Sequence, residues 1–195
     1  YAGKSSGGAG GYIDIHSGLG VSTSSGNVQI YSPNSGTSGV SGIIALQTGT
    51  TSEGASGIIS LSSGDAASGS GGSIALLVGN SASASGGKIM MTAGSSSADG
   101  GSVYVNSGAS SDTASGKVSI QSSNSVSSGI VSFSSGSSTS SSGAVWIGSG
   151  SSSAGSGGSV HVSAGNGNTG QGGSVRIAAG ASDSTGGSVA ILSGV

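Results

Sequence analysis

Hydrophobic and polar residues alternate in one short pattern that recurs along the whole chain. The pattern is an octet, Gly-x-Val/Ile-x-apolar-x-small-Gly, and residues 173–180 (Gly-Ser-Val-Arg-Ile-Ala-Ala-Gly) show it in its plainest form. If the first glycine is position 0, position +2 is always Val or Ile, position +4 is large and apolar, and position +6 is small, with Thr48 and Val78 the largest. The octets begin at Gly11, Gly26, Gly42, Gly57, Gly72, Gly87, Gly101, Gly116, Gly129, Gly143, Gly158, Gly173 and Gly187.

This alternation predicts a β-strand in every octet. Successive side chains of a strand point to opposite faces, so positions +2, +4 and +6 share one face, and the β-branched residues at +2 agree with strand. The octets begin 13 to 16 residues apart, and Gly/Ser-rich loops separate them. A fixed period this short is typical of a solenoid. We therefore predict an all-β fold, a β-solenoid of about 15-residue strand-loop repeats.

Two solenoid geometries fit the pattern. In one, two octets form a coil of about 30 residues, and two parallel sheets press their Val/Ile faces together. In the other, a single octet with its loop forms a thin coil of about 15 residues, which would stack the outward residues Ile43 and Ile58 on neighbouring rungs. We favour the two-strand coil because it gives each apolar face an apolar partner.

The repeats define a single array without an internal boundary. Residues 1–10 are interpreted as the tail of a truncated repeat, since Tyr1-Ala2-Gly3 fits the end of an octet, and residues 11–195 as one continuous array of thirteen repeats. We expect the sequence to be a window from a longer array, with any targeting signal outside it.

Composition modifies this interpretation at two points. The 195 residues include 43 glycines and only 5% charged residues, a composition that by itself is typical of a flexible linker. The strict apolar alternation favours ordered repeats instead. The net charge of −2 without a basic patch argues against nucleic acid as a partner, and no apolar run is long enough to predict a membrane span.

Candidate chemistry is sparse. His16 and His161, the two histidines, both lie at odd octet positions and are far apart in sequence, and no single serine is distinguished as a nucleophile. Acidic residues fall in scattered loops, which argues against the stacked aspartates of calcium-binding β-rolls. We expect no enzyme activity, no cofactor and no metal site. The odd positions form no flat row of threonines, which argues against ice binding.

The best functional hint is a set of large apolar residues at odd positions, where a buried strand face does not need them. We expect this set to form a lateral contact surface between rods: Ile43, Ile58, Leu77, Ile130 and Trp146. Open strand edges at the ends of a rod would add end-to-end stacking. Exposed aromatic residues such as Trp146 are also candidates for glycan contact.

The octet resembles the Gly/Ser-rich β-solenoid repeats of secreted surface and fibre proteins, of the kind predicted in algae such as diatoms and in microbial adhesins. The resemblance covers the whole chain and rests on Gly-x-Val-x-Ile-x-Ser/Ala-Gly. It implies a structural protein, part of an extracellular or cell-surface filament, fibre or stalk that associates with itself. The alternative is an adhesin-like shaft or binding module that uses its outer face for glycan or ice.

Overall fold

The structure, a computed structural model, describes residues 2–194, and within this range the backbone forms neither helix nor strand. Straight octets alternate with loops, and each of the thirteen loops bends once. The bends lie at residues 6–8, 21–23, 37–39, 52–54, 67–69, 82–84, 97–99, 111–113, 125–127, 139–140, 153–155, 168–170 and 183–184. Sequence periodicity and backbone geometry thus share one register.

The predicted all-β solenoid is wrong, both as a coil of two strands and as a coil of one. A solenoid requires hydrogen bonds between equivalent positions of stacked strands. Among residues 2–194, the hydrogen bonds between two backbone groups instead join only the glycines at the two ends of one loop. The octets are therefore extended segments without a neighbouring strand.

The Val/Ile face of the octets does not form a core. No residue in the range 2–194 is buried. Side chains at +2 are 43% (Val131) to 68% (Ile13) exposed, whereas large apolar side chains at odd positions are 74% (Tyr31) to 94% (Ile130) exposed. Position +4, on the same predicted face as +2, is 62% (Val105) to 88% (Ile191) exposed and overlaps the odd positions, so only +2 is consistently more covered and both faces are open to solvent.

The accessible surface of the chain measures this openness. It is 19032 Å², whereas a compact monomer of this mass would expose about 7,900 Å² and its unfolded chain about 25,500 Å². About three quarters of the unfolded surface thus remains accessible.

The physical reason lies in the composition that surrounds each apolar pair. An octet and its loop provide two large apolar side chains for about 15 ordered residues, and many of those residues are glycine or serine. Glycine loses more backbone freedom on ordering than any other residue. Apolar alternation specifies which side of a strand would face a core, but it does not provide enough buried surface to hold the strands together.

Contacts within the chain divide it into two units. The first unit is Tyr1–Thr92. In its described part, loop-closing backbone bonds run from Gly11 N to Gly3 O and from Gly26 N to Gly18 O, both 3.0 Å long. Two loop glycines of this unit have positive φ, Gly39 at 129° and Gly54 at 84°. These two bends use backbone conformations that other residues rarely adopt.

The second unit is Ala93–Val195. In its described part, residues 93–194, five loops are closed by a backbone bond from the glycine that opens one octet to the glycine that ends the previous octet. These bonds run from Gly101 to Gly94 (2.9 Å), Gly116 to Gly108 (2.9 Å), Gly158 to Gly150 (3.5 Å), Gly173 to Gly165 (2.9 Å) and Gly187 to Gly180 (2.9 Å).

Neither unit contains, in residues 2–194, a helix with the length and apolar character that crossing a bilayer requires.

Candidate functional site

The most regular feature of the molecule is the contact that closes its loops. We call it the loop clasp, and define it as three positions: the glycine that opens an octet, and the +6 residue and closing residue of the octet before it. The clasp at Gly173 illustrates the geometry, with its N–H donating to Gly165 O at 2.9 Å. A Cβ added at Gly173 would lie 3.1 Å from the Cβ of Ala164, the +6 residue. The opening glycine thus sits directly against the +6 side chain.

The same approach recurs in every octet that follows another. A side chain at the opening position would meet the preceding +6 residue at distances from 2.5 Å, at Val78 beside Gly87, to 3.9 Å, at Ser122 beside Gly129. Real Cβ atoms almost never approach within 3.0 Å of another heavy atom, and 3.0 to 3.4 Å is already tight. The clasp therefore favours glycine at position 0 in most octets, whereas an added Cβ at Gly116, Gly129, Gly143 or Gly187 would lie 3.5 to 3.9 Å from the +6 side chain, an ordinary van der Waals distance. Most residues that are not fully exposed occupy this +6 position: Ala2, Ser17, Ser32, Ala93, Ser122 and Ala164.

In the described residues a serine at +6 adds a hydroxyl hydrogen bond to four of the clasps, and at Gly26 and Gly158 this bond accompanies the backbone bond. The serine hydroxyl donates to the carbonyl oxygen of the opening glycine across the loop. The bond is 2.8 Å from Ser17 Oγ to Gly26 O, and 2.7 Å from Ser149 Oγ to Gly158 O. Ser32 and Ser63 make the same contact with Gly42 and Gly72, at 2.9 and 3.0 Å. At these four sites, position +6 contributes both space and a donor.

Serine has a separate role inside the loops. At the second loop position its hydroxyl accepts a hydrogen bond from a backbone N–H two or three residues later, which is the local bond that favours a turn. Gly155 N–H, for example, donates to Ser152 Oγ at 2.9 Å. Serines at this position in seven loops make such bonds: Ser5, Ser81, Ser96, Ser110, Ser138, Ser152 and Ser182.

The side chains predicted to form a lateral contact surface lie open to solvent. Ile43, Ile58, Leu77, Ile130 and Trp146 are among the most exposed large apolar residues, each at least 89% accessible. Their exposure is compatible with lateral contact. Only Trp146 of this set lines a groove found among the described residues.

That groove lies in the second unit, between octets 129–136 and 143–150. Its volume is about 420 Å³, and Phe133, Val145, Trp146, Ile147 and Gly148 line it. The chain has one Phe and one Trp, and both contribute. The loop between these octets has only six residues, which is shorter than most loops. The lining is largely apolar and presents an aromatic face for stacking.

Ionisable groups are dispersed. His16 Nδ1 lies 3.1 Å from the carbonyl oxygen of the next residue, Ser17, a contact within its own octet. Within residues 2–194, no three or more His, Asp or Glu side chains come together in a way that could hold a metal ion.

Comparison with protein-family models, curated proteins and solved structures finds no match.

Sequence reasoning missed the clasp, although both of its signals are in the sequence. The alternation assigns the small residue at +6 to the inward face of a predicted strand. In the structure this residue instead packs against the opening glycine of the next octet, nine or so residues later. The distinguishing signal is an asymmetry between the two glycines: a Cβ at the closing glycines Gly94, Gly150 or Gly165 would meet nothing within 4 Å.

Proposed function

We propose that this chain is part of a structural repeat protein that forms an extracellular filament, fibre or stalk. The observation that supports the proposal best is the open Val/Ile face of every octet. Monomeric proteins rarely leave contiguous apolar surface of more than a few hundred Å² uncovered. A repetitive chain offers one partner that always carries the matching spacing, which is a second copy of itself.

The apolar surface that each octet can still bury determines how many octets must take part in a stable interface. Burying a Val, Ile or Leu side chain contributes about 2 kcal/mol, which corresponds to about 80 Å² at about 25 cal/mol per Å². Since these side chains are already partly covered, an octet has about 100 Å² left to bury. A stable interface needs about 800 Å² from each partner, or about eight octets. Association should therefore require a long array, as a filament provides.

Charge does not oppose this association. Positions +2, +4 and +6 carry no charged residue in any octet, and the net charge of the chain is −2. Copies that meet through these faces would not place like charges opposite one another. The exposed residues of the predicted lateral surface, such as Ile58 and Ile130, would extend the contact sideways to a further copy.

Sedimentation velocity across a concentration series tests the proposal. In the test variant, serine replaces the +2 and +4 residues of three octets: Val103, Val105, Val160, Val162, Val175 and Ile177. Each substitution removes about 1 kcal/mol of available burial, so together they should weaken association more than a hundredfold. In the control, serine replaces Tyr104, His161 and Arg176 at odd positions of the same octets. A wild-type chain that stays monomeric at millimolar concentration, or equal weakening by both variants, would contradict the proposal.

The second candidate function is a binding module for glycans on an adhesin-like shaft, and the groove between Phe133 and Trp146 favours it. An exposed Trp face can stack against the apolar C–H face of a sugar ring. Binding to a glycan array that is lost in Trp146→Ala but retained in Tyr104→Ala, which changes an exposed aromatic residue outside the groove, would support it. Equal binding by both variants would exclude this groove as the glycan site.

A further inference from the structure

We propose that the loop clasps make the chain extensible: each clasp stores loop length that tension releases and relaxation recovers. The inference rests on the proposed structural function, because a filament or stalk is what would carry the tension. It is a property of the single chain, so it can be tested without assembly.

The stored length follows from loop geometry. Gly108 and Gly116 are eight residues apart, and the closing bond holds Gly116 N at 2.9 Å from Gly108 O. A segment of eight residues spans about 26–29 Å when extended. Opening this clasp therefore lengthens the chain by roughly 20 Å, and opening the seven loops that have a closing backbone bond within residues 2–194 releases at most roughly 140 Å.

The clasp can open without disrupting anything else. Its bonds are few and exposed to water: within residues 2–194, seven clasps have one backbone bond, and four have a serine hydroxyl bond, as at Ser17–Gly26. No residue between 2 and 194 is buried, so opening one loop removes no core that another loop shares. Each clasp should open independently and at low force.

The clasp can also close again quickly. Closure of a flexible loop of about ten residues takes about 10–100 ns. The turn bonds inside the loops, such as Gly155 N–H to Ser152 Oγ, keep the bend formed locally and shorten that search. Extension should thus be reversible, with little difference between pulling and relaxing curves.

Position 0 gives a selective way to open the clasps. An alanine at Gly101, Gly158 or Gly173 would place its Cβ 3.1 to 3.3 Å from the Cβ of the +6 residue, which is tighter than most real contacts. The same change at the closing glycine of each clasp, Gly94, Gly150 or Gly165, meets nothing within 4 Å. None of these six glycines has positive φ, so alanine fits the backbone at all of them. The two sets are matched in number and in chemistry.

Optical tweezers on the full chain, held at its two ends and at a concentration where it is monomeric, test the inference. At low force, the variant Gly101→Ala/Gly158→Ala/Gly173→Ala should be longer than wild type by roughly 20–60 Å, and the two curves should converge at high force. The control Gly94→Ala/Gly150→Ala/Gly165→Ala should follow the wild-type curve.

Superimposed curves for the opening-glycine variant and wild type would overturn the inference, and so would an equal shift in the control. The result is separable from the proposed function. A chain that releases length in this way but remains monomeric at every concentration supports extensibility and contradicts self-association. A chain that self-associates but releases no length supports self-association and contradicts extensibility.

Discussion

The serine at position +6 should control how long a loop stays closed, and the clasp of Ser17 with Gly26 is the clearest place to measure it. Gly26 donates its N–H to Gly18 O at 3.0 Å, and Ser17 Oγ donates to Gly26 O at 2.8 Å. Each bond contributes about 1 kcal/mol net. Closing the seven-residue loop 19–25 costs at least about 1.7 kcal/mol of chain entropy. These terms nearly balance, so we expect the loop to be closed for only part of the time.

Because these terms nearly balance, the gain or loss of one hydroxyl bond should change the closed-to-open ratio of a loop several-fold. Ser17→Ala removes about 1 kcal/mol, which should lower the closed-to-open ratio of loop 19–25 about fivefold. The reciprocal change, Ala164→Ser, should add the missing hydroxyl bond to Gly173 O and raise the ratio of the seven-residue loop 166–172 by a similar factor. Because the two loops have equal length, the entropy of closure cancels in the comparison.

Amide-proton exchange measured by NMR reports the open fraction of each loop through its opening glycine. The Gly26 amide should exchange faster in Ser17→Ala, and the Gly173 amide more slowly in Ala164→Ser. The Gly116 amide, which donates to Gly108 O at 2.9 Å in a distant clasp, serves as the internal reference and should not change. Unchanged exchange at both Gly26 and Gly173 would refute the assignment of the +6 serine as part of the clasp.

Three further results are expected. Heating the chain under monomeric conditions should give a gradual change in far-UV circular dichroism, because no core within residues 2–194 melts cooperatively; a sharp transition would contradict the open structure. Gly54→Ala should disfavour its bend by about 1 kcal/mol because φ there is 84°, whereas Gly64→Ala should not; changes in the NMR chemical shifts of the loop 50–56 measure the difference. Gly87→Ala should push residues 78 and 87 apart because its Cβ would lie 2.5 Å from Val78 Cγ1, and adding Val78→Ala should restore the nuclear Overhauser contact between these two residues; failure of the second change to restore it would show that the clash is not the cause.

Sequence reasoning located the repeat boundaries but not the contacts. The octets at 173–180 and elsewhere are straight, and every bend falls in a predicted loop, because glycine and serine clusters mark turns by local chemistry. The sequence also predicts that side chains at +2 are less exposed than those at the odd positions, since alternation is a local property. Strand pairing cannot be predicted in this way, because it depends on whether an extended segment finds a partner.

Composition was the better guide to that question. The 43 glycines and the 5% charged residues are typical of flexible chains, whereas the apolar alternation by itself favours ordered repeats. At the clasp of Gly173, the alternation predicts that Ala164 faces an interior, whereas its small size fits the glycine that packs against it.

The clasp joins residues only about nine positions apart, as in Ser17 and Gly26, and this locality has an evolutionary consequence. A tandem duplication or deletion of one repeat inserts or removes one complete clasp and leaves all the remaining clasps intact. The number of repeats can therefore change during evolution without disrupting the remaining clasps, and the length of the protein follows directly from that number.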